Sequence, residues 1–82
     1  MTVLTAEISL YPLDENYIPP IKDFINRINQ YPDLTVKTNA TSTQVCGEYD
    51  QVMTALHNEM KLTHEQQQKA VFACKFINLD IR

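Results

Sequence analysis

From Val3 to Tyr11 the chain alternates in a way that only an extended strand can use. Leu4, Ala6, Ile8 and Leu10 fall on one side; Thr5, Glu7, Ser9 and Tyr11 fall on the other. A period of two separates these sets onto opposite faces of a sheet. The strand therefore has one apolar face that needs a covering layer. Its second face is polar and carries one carboxylate, Glu7.

The covering layer follows in the chain. Pro12 ends the strand, and Leu13-Asp14-Glu15-Asn16-Tyr17 reads as a loop. Pro19-Pro20 suits the first turn of a helix, where a missing N–H has no partner to lose. Ile21, Phe24, Ile25 and Ile28 then recur at helical spacing, so the helix runs to about Gln30 with one apolar stripe. Tyr31-Pro32-Asp33 stops it. Leu34 to Thr38 reads as a second strand, and Asn39-Ala40-Thr41 as a turn, because Asn tolerates unusual backbone angles and bonds its own backbone. In the third strand, Thr43 to Gly47, Thr43 and Val45 alternate against Ser42, Gln44 and Cys46. Gly47, the only glycine, sits where this strand must turn into a helix. Glu48 and Asp50 place negative charge at that helix's start, which suits its dipole. Tyr49, Val52, Met53, Leu56 and Met60 line one helical face, and the helix frays near Leu62 or Thr63. The polar run His64 to Lys69 reads as a connecting turn. Ala70 to Leu79 is the last strand, with Phe72, Cys74 and Phe76 on one face and Ala73, Lys75 and Ile77 on the other.

The order β-α-β-β-α-β, with two interleaved right-handed crossovers, predicts an α+β ferredoxin-like sandwich. Its antiparallel sheet has the order 4-1-3-2, with both helices on one face. The other face should display Thr5, Glu7, Ser9 and Tyr11, together with Ser42, Gln44 and Lys75. A sheet face left bare is either solvated or covered by another subunit, and Tyr11 and Ile77 favour partial cover.

The chain has 82 residues, so residues 1–82 are expected to form a single domain. A domain of this size buries only about 60–65% of its unfolded surface, and oligomerisation would help it. The net charge of -3 argues against nucleic acid, whose affinity comes from Lys and Arg on phosphates. No signal peptide is apparent, and no apolar run approaches the roughly 20 residues of a membrane span. A cytoplasmic protein without membrane insertion is the expectation. Cys46 and Cys74 are expected as free thiols, two strands apart. Neither His57 nor His64 has the spacing of a metal site. No Gly-rich phosphate loop and no nucleophile–base arrangement is visible, so no enzyme and no cofactor are expected.

Three segments carry a family resemblance. Ile8-Ser9-Leu10-Tyr11-Pro12-Leu13, with Tyr17-Ile18-Pro19-Pro20-Ile21, resembles the opening of the YkoF-like proteins. The run from Thr38 to Asp50, followed by Val52, continues it. Short single-domain relatives, the thiamine-binding proteins, begin with a strand like Thr5-Ala6-Glu7-Ile8-Ser9. They carry an Asn, a Thr and a Gly spaced as Asn39, Thr43 and Gly47 are here. The resemblance implies non-catalytic binding of thiamine or its hydroxymethylpyrimidine moiety, linked to uptake or salvage and to a thiamine-precursor transporter. It implies homodimers or homotetramers, since pairing of two chains would replace the tandem repeat of longer members. The ligand-binding positions it implies are Glu7, Ser9, Asn39, Ser42 and Thr43, with Tyr11 and Gln44 behind them. Lys75, if it pointed into the pocket, would favour the neutral pyrimidine over cationic thiamine. The alternative is a structural or regulatory oligomer whose open sheet face only assembles subunits.

Overall fold

The alternating segment forms the centre of the sheet. A computed structural model describes residues 2–82. In it β1 (Val3–Tyr11) pairs antiparallel with β3 (Thr43–Glu48) on one side and with β4 (Val71–Ile77) on the other. The hairpin partner β2 (Thr35–Thr38) lies beyond β3, so the order is β2-β3-β1-β4. Helices α1 (Ile18–Ile28) and α2 (Tyr49–Gln66) fill the two crossovers. This is the ferredoxin-like arrangement with the strand order that the periodicities predict.

The core lies between sheet and helices. Leu4, Ala6 and Ile8 of β1 and Val45 of β3 meet Phe24 and Ile28 of α1 and Val52, Ala55 and Leu56 of α2. Phe24 also packs its ring against Phe72 of β4, with centroids 5.2 Å apart and planes tilted 53°. Each buried Val, Leu, Ile or Phe side chain contributes about 1.5–3 kcal/mol relative to exposure, and the two alanines less. The prolines sit in the first turn of α1, as their missing N–H groups require.

Helix α2 differs from its sequence reading in two ways. It continues through His64 to Gln66 instead of fraying near Leu62, and Tyr49 and Met53 lie exposed while Val52, Ala55, Leu56 and Thr63 face inward. The inward stripe contains Ala, Glu and Thr, so apolarity alone understates it. Arg27 of α1 explains why those polar members can be there. Its guanidinium donates to Glu59 Oε1 at 2.8 Å, to the Glu59 carbonyl at 2.9 Å and to Thr63 Oγ1 at 2.6 Å. Its Nε donates to Asp23 at 2.9 Å. Tyr31 completes the clamp by donating to Glu59 Oε2 at 2.6 Å. His64 is held by Phe72, edge to face, and lies 3.0 Å from the Ala70 carbonyl. At the other end, Glu48 caps the helix by accepting from the Asp50 and Gln51 N–H groups, which satisfies two of its orphan donors.

Gly47 lies inside β3 with an ordinary backbone conformation, not at a left-handed turn. What it needs is space: a Cβ there would stand 2.6 Å from Leu34 Cδ2. Strand β4 ends at Ile77 rather than Leu79, and residues 78–82 turn back over the polar face of the sheet. Thr5 Oγ1 donates to the Leu79 carbonyl, Lys37 Nζ to the Ile81 carbonyl at 3.2 Å, and Cys46 Sγ lies 3.8 Å from Asp80 Oδ1. One end of the open face is thus covered by the chain itself, which buries Thr5 and Cys46. Arg82 clasps Asp80 through side-chain and backbone hydrogen bonds, and this holds the Asp80 carboxyl down at about 2. Cys46 and Cys74 are both free, on strands either side of β1. Burial pushes the Cys74 thiol above its ordinary value.

Candidate functional site

The β2–β3 hairpin has a tip stiffened by one side chain. Asn39 Oδ1 accepts from the N–H groups of Thr41 and Ser42, both at 2.9 Å, and from the Thr41 hydroxyl at 3.2 Å. Two backbone donors fix which end of the amide is the oxygen, so its Nδ2 is left to donate elsewhere. Among the described residues that Nδ2 has no partner. Pairing of β1 with β3 ends at Ile8 opposite Thr43. Beyond it, the Ser9 hydroxyl bridges to the Thr41 carbonyl, at 3.0 Å. The hairpin tip and β1 therefore part, and helix α1 floors the gap.

The result is a slot of about 90 Å³ lined by Ile8, Ser9 and Leu10 of β1, by Ile21, Phe24 and Ile25 of α1, and by residues 38–43 of the hairpin. At roughly 10–15 Å³ of accessible space per water, it holds several waters. A single planar ring of similar bulk would replace them. The walls are apolar on the helix side and polar along the hairpin. Thr43 is 4% exposed, and its Oγ1 lies 3.3 Å from Thr38 Oγ1. Two hydroxyls that share one hydrogen bond leave a second hydroxyl hydrogen free to donate.

Of the seven positions named from the sequence, Ser9, Asn39, Ser42 and Thr43 line this slot, and Tyr11 lines an adjoining hollow. Glu7 and Gln44 do not line it. They face each other across β1 and β3 on the open side of the sheet. Glu7 accepts from the Ser42 hydroxyl at 3.2 Å and pairs with Lys75 at 3.9 Å, so it reaches the hairpin only through Ser42. Lys75 is 86% exposed and lies on the face opposite the slot. The alternation of β3 sets Ser42 and Gln44 on the open face and Thr43 with Val45 on the other. The structure agrees: Thr43, with Thr38, is on the helix side, because residues paired with Ile8, Ala6 and Leu4 share their face. Thr38 and the α1 walls were not singled out from sequence. Thr38 was legible in principle, since a hairpin tip of Asn39 to Ser42 sets Thr38 opposite Thr43.

Among the described residues no group of three or more His, Cys, Asp or Glu converges as metal ligands, and no helix is long and apolar enough to cross a membrane.

Fold and slot together define a ferredoxin-like domain with a ring-sized cleft between its first helix and its central hairpin. The chain belongs to the YKOF-related family, whose profile matches residues 3–78. It is similar to a hypothetical protein of Methanocaldococcus jannascii, with 25% identity and a TM-score of 0.83 over 100% of this chain and 86% of that one. A Thermotoga maritima protein with a proposed role in thiamine biosynthesis or salvage shares 17% identity and a TM-score of 0.82, covering 98% of this chain and 84% of that one. A Streptococcus pneumoniae protein gives 20% identity and a TM-score of 0.81, covering 99% and 90%. No curated protein matches the chain.

Proposed function

We propose that this chain is a single-domain, non-catalytic binding protein for thiamine or its hydroxymethylpyrimidine moiety, acting in uptake or salvage. The observation that carries the reading is the slot. It is lined by Asn39 and offers a hydroxyl donor from the Thr38–Thr43 pair beside apolar walls at Ile21, Phe24 and Ile25. An aminopyrimidine has ring-nitrogen acceptors and an amino donor around an apolar ring, and such a slot can satisfy both. Membership of the family and the proposed role of the Thermotoga maritima neighbour support the same ligand class. The protein works in the cytoplasm, beside a transporter for thiamine precursors.

Assembly accompanies binding in this reading. The outer edge of β4 has no strand partner among the described residues, and Val71, Phe76 and Ile77 are exposed along that strand. An exposed apolar edge is a template for pairing with another chain, so the working form is a homodimer or homotetramer. Light scattering behind a sizing column tests this; a monomer at working concentration would remove it.

The binding test is isothermal titration with hydroxymethylpyrimidine and with thiamine. Saturable heat at one site per chain with a micromolar constant, about −8 kcal/mol, is the expected result. Silence from a folded protein with both ligands would overturn the reading.

A further inference from the structure

The slot does not end at the hairpin. Leu10, Ile21, Ala40 and Thr41 also line a second, larger hollow of about 510 Å³, which continues outward between the end of β1 and the loop before α1. Its remaining walls include Tyr11, Leu13, Asp14 and Tyr17. Tyr11 is 54% exposed, Leu13 65% and Tyr17 53%, so three large side chains leave apolar surface open at one mouth. Leu13 is held there in the left-handed region, at φ 53°. Asp14 Oδ1 accepts from the Asn16 N–H at 2.9 Å; among the described residues its other oxygen has no partner. Among the described residues no lysine, arginine or histidine lines either the slot or the hollow.

These features set the chemistry of an occupant. The slot alone is too small to enclose a two-ring ligand, while the hollow falls within the roughly 300–1,000 Å³ of small-molecule pockets. Tyrosine faces beside a carboxylate attract a flat organic cation. The same carboxylate, with no basic group to offset it, repels a phosphate ester. Lys75, the cation that would have opposed a charged ligand, stands on the far face of the sheet in its pair with Glu7.

We propose that the hollow at Tyr11, Leu13, Asp14 and Tyr17 is a subsite for the cationic ring attached to the pyrimidine. The protein therefore selects the intact, unphosphorylated two-ring compound over the free pyrimidine and over phosphate esters. This rests on the pyrimidine occupying the slot. The test is calorimetric titration of the wild-type chain with hydroxymethylpyrimidine, thiamine and thiamine diphosphate, repeated with Tyr17→Ala and with Asp14→Asn, which keeps the acceptor for Asn16 and removes the charge. Thiamine binds about tenfold more tightly than the pyrimidine, and the diphosphate more weakly than thiamine. Tyr17→Ala brings thiamine down to the pyrimidine's affinity. Asp14→Asn weakens thiamine and narrows its lead over the diphosphate. Pyrimidine affinity stays where it was in both variants. Equal affinity for thiamine and pyrimidine in the wild type would overturn the subsite while leaving the slot standing. So would a thiamine preference that survives both substitutions, or a diphosphate that binds as tightly as thiamine. No heat with any ligand would overturn subsite and slot together.

Discussion

Thr43→Val separates a ligand in the slot from a ligand on the open sheet face. The substitution is nearly isosteric and replaces one hydroxyl by a methyl group at a buried position on the helix side of β3. In the free protein its cost is small. The bond it removes is a long one, 3.3 Å to Thr38 Oγ1, and Thr38 is exposed, so water can replace the lost partner. A neutral hydrogen bond is worth about 0.5–1.5 kcal/mol net, and added apolar burial offsets part of that. Stability should therefore stay within about 1 kcal/mol of wild type. In the complex the same change leaves a polar atom of the ring facing a methyl group, away from water. Stranding a buried polar group costs about 1–3 kcal/mol, so the dissociation constant should rise by at least about fivefold. Calorimetric titration with hydroxymethylpyrimidine reads the affinity, and a thermal melt confirms that the fold is intact. Gln44→Ala, on the open face, is the control and should leave binding unchanged. The slot reading is refuted if Thr43→Val binds like wild type while Gln44→Ala loses affinity.

The clamp between the helices predicts a larger effect on folding. Arg27→Met strands Glu59, whose side chain is 14% exposed, and should lower the unfolding free energy by about 2–3 kcal/mol, short of a fully buried pair because some water reaches it. Urea denaturation measures this, and Arg27→Met/Glu59→Met should recover much of the loss; a loss below about 1 kcal/mol would show that the clamp is dispensable. Tyr31 supplies a pH signature: its hydrogen bond to Glu59, then burial, raise its pKa. A raised folded value means that this contribution to stability is complete below about pH 10 and fades as pH rises through the folded value. Ultraviolet titration should show a phenolate step above the ordinary range that Tyr31→Phe removes. Finally, Asp80→Ala undoes the Arg82 clasp and the Cys46 contact, so Cys46 should react several times faster with dithionitrobenzoate; an unchanged rate would mean that the segment 78–82 does not shield the thiol.

Most of the fold was legible because each element carries its own period. The alternation of Leu4, Ala6, Ile8 and Leu10 and the spacing of Ile21, Phe24, Ile25 and Ile28 each specify a face, and the β-α-β-β-α-β order leaves one economical way to join those faces. Chain-local signals were weaker where a polar residue is buried by a distant partner. Thr63 looks like a fraying helix end until Arg27, far away in sequence, is placed beside it. Gly47 looks like a turn glycine until Leu34 is packed against it.

The candidate site divides along the same line. Local chemistry marks Asn39 as the turn residue, since its short amide can accept from the N–H groups two and three residues on, those of Thr41 and Ser42, without help from elsewhere. Strand alternation likewise separates Thr43 from Ser42 and Gln44. What periodicity leaves open is where the hairpin tip leaves β1, because that depends on where cross-strand pairing stops and on how α1 packs beneath. Only the tertiary structure made a slot from Ser9, Asn39, Ser42 and Thr43, joined it to the hollow at Tyr11 and Tyr17, and laid residues 78–82 over Cys46. A periodic pattern specifies the face of one element, whereas a cleft is a gap between elements.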